Sequence, residues 1–400
     1  MTSVVYSPFL LSVAMIALAV LCFFEFEITR TSFKIWGNSK FFQSLGQYPQ
    51  HPSFWIPSLV FFLVFFSFWD IVDTSYWWER VRIKVPFLAL GMLFMVLPKL
   101  TEVEFKGLLY FLVFLMTVTS LAVGVNYFMN MAEINELMKQ GHPMPTPRNH
   151  IRYSLMLALS VIAAFYLWQE KFVLKYQWER PALLGATIFL LVFIHFLSVR
   201  TGILSLYIAI FALAVRQAIL WKKWWLIGLT ALILSALPVV GYYTIPSFQT
   251  KINYMRWDLM QFREGKGEEY ADSGRLSSLV VGWELLQEQP LLGVGAGNLR
   301  IAVQERYKER FPKFEQVHMP HNQFLFIAVG SGMLGLGLFI FAILFPFFYQ
   351  KNLQHPILLT FYSISLVAFM LEHTIENSIG VGFFCFFLFL FLNVYNRREA

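Results

Sequence analysis

The 400 residues are 58% hydrophobic and 18% aromatic but only 14% charged, with 44 Phe and a formal net charge of +7. Soluble domains carry about 25% charged residues, and here the apolar residues fall in blocks of roughly 17 to 25, long enough to cross a hydrocarbon core of about 30 Å as helix. The chain therefore reads as an all-α polytopic membrane protein in contact with a lipid bilayer. A nucleic-acid partner is excluded despite the basic balance, because Lys and Arg beside membrane spans first set orientation.

Eleven candidate spans follow in chain order, near residues 8–24, 54–72, 84–98, 107–125, 151–168, 182–198, 201–220, 224–242, 322–347, 356–372 and 378–395. No Lys or Arg precedes the first block and several follow it, the reverse of a cleavable signal peptide, so the N-terminus is expected outside. In that orientation the inner loops hold about twice as many basic residues as the short outer ones, which is the usual orientation bias. Trp55, Trp69, Trp77, Trp78, Trp168, Trp221, Trp224 and Trp225 lie near span ends and read as interfacial anchors.

The organisation expected is a bundle of about eight spans over residues 1–242, one long outer segment over 243–320, and about three spans over 321–400. Acidic and basic residues balance in the outer segment. Within it Leu276, Leu279, Val280, Trp283 and Leu286 recur at helical spacing before Pro290, and Leu299, Val303, Tyr307 and Phe311 recur every four residues. Both stripes predict amphipathic helices lying on the membrane surface or capping the bundle.

Few classes of chemistry survive this reading. There is no Walker A sequence; Gly330, Gly332 and Gly335 sit inside an apolar span, where small residues let helices approach, and Gly293, Gly295 and Gly297 read as a turn. No Asp-x-Asp pair occurs, and Glu25, Glu27, Glu102 and Glu104 fall on the inner side, so a divalent-metal diphosphate site built of convergent carboxylates is not expected. Cys22 and Cys385 each lie inside an apolar block, which leaves neither a disulfide framework nor a cysteine metal site. No metal and no cofactor are expected.

What remains is polar residues gathered at the outer ends of spans. Arg200 lies in a short break between two apolar blocks, Arg275 precedes the first amphipathic stripe, and His321 and Asn322 follow Pro320 where the chain re-enters the membrane. Arg148, His150 and Arg152 open one span, and Glu372 stands between the last two. Singly, each has a bland reading: an arginine that snorkels to the interface, a solvated helix entry, a structural histidine. An ionisable residue at a membrane boundary is nonetheless a functional candidate, and clusters from distant sequence regions meet on one face.

Arranged in order, Ser198-Val199-Arg200-Thr201-Gly202 opening a span, Ser273-Gly274-Arg275 in the long outer loop, the Gly293-x-Gly295-x-Gly297 turn and Pro320-His321-Asn322-Gln323 opening the next span resemble the O-antigen ligase and polymerase superfamily. The resemblance covers about residues 145–345. It implies a GT-C-like membrane fold with one long periplasmic loop, usually with twelve spans and both ends inside, against the eleven read here. It also implies an inverting, metal-independent glycosyltransferase in the bacterial inner membrane, with its active site facing the periplasm. The donor it implies is a glycan on undecaprenyl diphosphate; the acceptor is a sugar of the lipid A core or another glycan. Arg200 and Arg275 then hold the diphosphate and His321 takes a proton from the incoming hydroxyl. Asn322 orients it, and His150, Arg148, Arg152 and Glu372 contact the acceptor or support the site. A repeat-unit polymerase or a protein-glycosylating relative would use the same residues, whereas a transporter would more often show charges in mid-span.

Overall fold

The computed structural model describes residues 1–28, 33–67, 71–264, 271–312, 314 and 316–395. Of the described residues 79% are helical. Every expected apolar block falls on a helix: α1 (Pro8–Phe23), α2 (Pro52–Phe65), α3 (Thr74–Val96), α4 (Glu102–Met129), α5 (His150–Gln169), α6 (Glu179–Leu197), α7 (Arg200–Trp221), α8 (Trp225–Thr244), α12 (Gln323–Phe348), α13 (Pro356–Leu371) and α14 (Ser378–Tyr395). Of these, α4 to α8, α12 and α14 are long and apolar enough to cross a membrane; α1, α2 and α13 are shorter. Within the expected 54–72 block, residues 68–70, with the expected anchor Trp69, lie outside the described residues. One departure from an all-α fold follows α1, where β1 (Phe24–Ile28) and β2 (Phe33–Gly37) pair antiparallel with Phe24 opposite Gly37.

The 243–320 segment is more helical than its apolar spacing suggests. Besides α10 (Ala271–Glu288) and α11 (Leu299–Arg310) it contains α9 (Pro246–Arg263), a helix with no clean apolar stripe. The stripe expected on α11 is right: Leu299, Val303 and Tyr307 are buried. That on α10 is right only in part: Leu286 is buried and Leu276 and Leu279 half-buried, but Val280 and Trp283 are exposed. The helix instead buries Ser273, Gly274, Ser277, Ser278, Val281 and Leu285, because small residues let it lie close against α12 and α11.

At the centre stands α5, buried along most of its length and packed between α4, α6, α7 and α13. Opposite it α14, equally buried, packs on α3. By contrast α8 leaves Leu232, Val239 and Val240 exposed, as lipid-facing helices do. Of the expected anchors, Trp78, Trp221, Trp224 and Trp225 are exposed, while Trp77 is buried and donates to the Val64 carbonyl at 3.1 Å.

Helix α3 begins ten residues before its expected apolar block, and this moves Arg80, Arg82 and Lys84 from an outer loop onto a helix. Arg80 and Lys84 are one turn apart and face inward. Lys84 is fully buried.

The two glycine runs in the second half meet each other. Gly332 breaks α12 with φ 64° and ψ −172°, a region open essentially to glycine alone. Into that break the 290–294 loop docks: Val294 N donates to Val329 O at 2.8 Å and Met333 N to Pro290 O at 2.8 Å. A Cβ on Gly332 would stand 2.0 Å from the Leu291 carbonyl oxygen. The broken backbone is therefore satisfied by protein, the condition for irregular backbone at membrane depth. Gly332 is a break for a loop rather than a surface for a neighbouring helix.

Candidate active site

Helices α7, α10, α12 and the 372–377 loop carry their polar residues to one mouth of the bundle. Arg200 is the first residue of α7, directly after Ser198, which ends α6 in the left-handed conformation at φ 58°. This tight turn leaves the guanidinium at the helix end, about a third exposed. It pairs with Asp272 at 2.5 Å. Asp272 and Ser273 form the first turn of α10, where the buried Asp258 of α9 accepts from Asp272 N at 2.7 Å and Ser273 Oγ at 2.7 Å. A carboxylate at a helix N-terminus suits both the free N–H groups and the dipole.

Arg275 lies one turn on and pairs with Glu372 Oε1. The other Glu372 oxygen is 2.9 Å from His321 Nδ1. One buried carboxylate thus bridges the guanidinium and the imidazole. The His321 N–H donates to Ser278 Oγ at 3.1 Å, and Ser278 Oγ in turn donates to the Arg275 carbonyl at 2.7 Å. Asn322 caps α12, accepting from Leu325 N at 2.9 Å, and its Nδ2 donates to Met370 O at 2.9 Å. Its side chain fixes the helix start rather than the imidazole.

A second network holds the loop that carries Glu372. Lys84 donates to Glu376 Oε1 at 2.6 Å and to the Ile375 carbonyl at 2.7 Å. Gln323 donates to the same Glu376 oxygen at 2.6 Å and accepts from Ile375 N at 3.0 Å. Arg80 donates to the Glu376 carbonyl at 2.8 Å. From the other side, Arg152 reaches Thr374 O at 3.4 Å. Every group in this network is buried, so the loop is clamped between α3, α5 and the first turn of α12.

Charge balance follows from these contacts. Burial pushes the Glu372 carboxyl up, but the His321 hydrogen bond and the positive charges of Arg275 and Arg152 outweigh it and leave it at about 2. Burial, with the charges of His321 and Arg152, lowers His373 to about 4, so this ring is neutral near pH 7. Lys251 of α9 is lowered to about 8 by burial and by the nearby charges of Arg200 and Arg275. Lys251 therefore stands within reach of both arginines and is a third cation at the mouth, donating to Gly141 O at 2.9 Å.

Of the residues singled out in the sequence, Arg200, Arg275, His321, Asn322, Glu372 and Arg152 come together here. His150, at the start of α5, lies within electrostatic reach of Arg275, Lys251 and Glu372. Arg148 is exposed and makes no ion pair with other described residues. Sequence reading missed Lys84, Lys251, Asp272, Gln323, His373 and Glu376. The signal that exposes Lys84 is its place one turn after Arg80, where the chain runs into an apolar block. Metal chemistry has one candidate among the described residues: single donor atoms from His321, Glu372 and His373 lie within 4.8 Å of one another. The sequence hid it, since His321 is fifty residues from its two companions.

Two guanidiniums at helix starts, an additional lysine and an imidazole hydrogen-bonded to a carboxylate are groups chemically able to bind an anion and to accept a proton beside it. Residues 185–340 match the O-antigen ligase family model. The matched O-antigen ligase segment includes Arg200, Lys251, Arg275, His321 and Asn322 and ends before Glu372. The helices that clamp the Glu372 loop, α3 and α5, also lie outside that segment. No curated protein sequence matches it.

Proposed function

We propose that this protein is an inverting, metal-independent glycosyltransferase of the O-antigen ligase type, acting at the periplasmic face of a bacterial inner membrane. Its donor is a glycan on undecaprenyl diphosphate and its acceptor a sugar of the lipid A core. The observation that carries the reading is the Arg275–Glu372–His321 bridge, which sets a cation and a base on either side of one ionised carboxylate.

The anomeric carbon of the donor is attacked by an acceptor hydroxyl. As that bond forms, the bond from the same carbon to the diphosphate oxygen breaks. Negative charge grows on the diphosphate, and Arg200 and Arg275, permanently charged forks with partly exposed N–H donors, stabilise it. Asp272 and Glu372 hold these guanidiniums until the anion competes for them. The hydroxyl proton passes to His321 Nε2, because Glu372 holds a proton on Nδ1 and so presents the other nitrogen as acceptor. Attack opposite the leaving group inverts the carbon, with no covalent glycosyl-enzyme. The polymerase and protein-glycosylating readings share every one of these groups and differ only in acceptor.

The test is transfer by purified protein in liposomes, with an undecaprenyl-diphosphate oligosaccharide as donor and EDTA throughout. Rough lipopolysaccharide, a second donor and an acceptor protein are offered separately. Transfer to lipopolysaccharide that is lost in Arg200→Ala, Arg275→Ala and His321→Ala is the expected result. Donor elongation alone makes it a polymerase, and folded protein that transfers to no acceptor refutes the proposal.

A further inference from the structure

His373 takes no part in the transfer described above, yet it is placed with care. Its ring centroid is 5.0 Å from that of His321, and its other side stacks on Phe326 at 5.9 Å. Its Nδ1 is buried without a hydrogen-bond partner among the described residues. Buried polar atoms are satisfied in the great majority of cases, and an exception calls for an explanation such as a bound ion. One donor atom of His373 lies within 4.8 Å of donor atoms on His321 and Glu372.

Two imidazoles and one carboxylate are the donor set of borderline transition ions, Zn²⁺ above all, and a poor one for Mg²⁺ or Ca²⁺, which take oxygen ligands. The clamp from Lys84, Arg80 and Gln323 holds the 372–377 loop beside α12, so the three side chains need little rearrangement to close on an ion. Arg275 occupies Glu372 Oε1 and leaves Oε2 facing His321. The nearby guanidiniums of Arg275 and Arg152 oppose a cation, and they set the affinity below that of a dedicated structural zinc site.

We propose that His321, Glu372 and His373 form a binding site for Zn²⁺ or a similar transition ion, and that its occupancy silences the transferase. The silencing rests on the function proposed above; the binding does not. An ion inside this triangle meets His321 through Nδ1, the nitrogen that faces Glu372. The neutral ring then carries its proton on Nε2. No proton is gained or lost, but the nitrogen that must accept the hydroxyl proton is now a donor. The base is switched off by its tautomer.

The experiment uses the full-length protein in detergent, stripped with EDTA, dialysed and titrated with ZnCl₂ by calorimetry without substrate. Metal content is measured after desalting, and CoCl₂ serves as a coloured probe of nitrogen ligation. One equivalent of Zn²⁺ with micromolar affinity is expected, with no heat from MgCl₂, and His373→Ala and His373→Asn, checked for unchanged thermal unfolding, should bind at least about tenfold more weakly. In the transfer assay Zn²⁺ should inhibit, EDTA should restore activity, and the inhibitory concentration should rise in the His373 variants by the factor seen in binding. No saturable binding, or equal binding by the variants, overturns the site. Binding at one equivalent with full activity retained overturns the silencing. Zinc-free protein that transfers to no acceptor refutes the transferase reading, while the calorimetry still decides the site.

Discussion

Replacing Lys84 with methionine probes the clamp beneath the site. The ammonium is fully buried, 2.6 Å from a carboxylate that is itself only 2% exposed. Removing one partner of a buried ion pair typically costs about 3–5 kcal/mol, because the other charge remains without its counter-ion. Here Glu376 keeps the Gln323 hydrogen bond at 2.6 Å and Arg80 at 3.5 Å, so the lower end, about 3 kcal/mol, is expected. Methionine fills most of the volume, which keeps the cavity contribution small. The assay is reversible unfolding in mixed micelles by SDS titration, run as a cycle with Glu376→Gln and the double variant. The double variant should lose at least about 1 kcal/mol less than the sum of the singles, since both charges are then gone. Activity should fall with stability, as the loop holding Glu372 loosens. A loss below about 1 kcal/mol for Lys84→Met, or strict additivity in the cycle, would show that the pair does not hold the loop.

Glu372→Gln keeps the shape but removes the charge that fixes the His321 tautomer, so kcat should fall by about 10²-fold or more while the protein stays folded; a fall confined to donor KM would refute the orienting role. Because the Glu372 carboxyl is held at about 2, below its ordinary 4.5, its stabilising contribution is complete above the ordinary value and is lost as pH falls toward 2. The stability gap between wild type and Glu372→Gln should narrow over that window in acid unfolding. Lys251, lowered to about 8, loses its charge as pH rises through that value. Donor KM should therefore rise above about pH 8, and Lys251→Met should flatten that limb of the profile. Gly332→Ala places a methyl 2.0 Å from the Leu291 carbonyl oxygen in a conformation closed to alanine, so folded protein should be nearly absent from membranes, as measured by detergent-extracted monodisperse yield; Gly337→Ala, with open space around it, is the matched control.

Much of this was legible because the membrane simplifies the code. Apolar length marks helices whatever their partners are, so each block from Pro8 to Tyr395 found its helix. Arg200, Arg275 and His321 stood out because charge is conspicuous at span ends. The failures share a cause. α3 carries Arg80 and Lys84 on a helix because distant Glu376 neutralises them, and no window of sequence sees a partner 292 residues away. On α10 the serines and glycines face inward and Trp283 faces out, since close approach to α12 outweighed apolar burial. α9 has no stripe to read because its role is polar: Asp258 caps α10, and Lys251 reaches the mouth. His373 was passed over as one of a run of polar loop residues.

The break at Gly332 also changes how α12 carries load. Residues on both sides of it are hydrogen-bonded to the 290–294 loop, Val329 before the break and Met333 and Leu334 after it, and the first half carries His321 at its tip. Its inner half runs on to Phe348 with Met333, Leu334 and Phe341 exposed. A continuous helix transmits tilt along its whole length when the bilayer thickens or thins. At Gly332 that continuity is interrupted, and the 290–294 loop splints the joint by bonding to both halves. A tilt of the lipid-facing half is therefore passed to the loop and through it to α10, which carries Arg275, as well as to His321, so the two sides of the site move together.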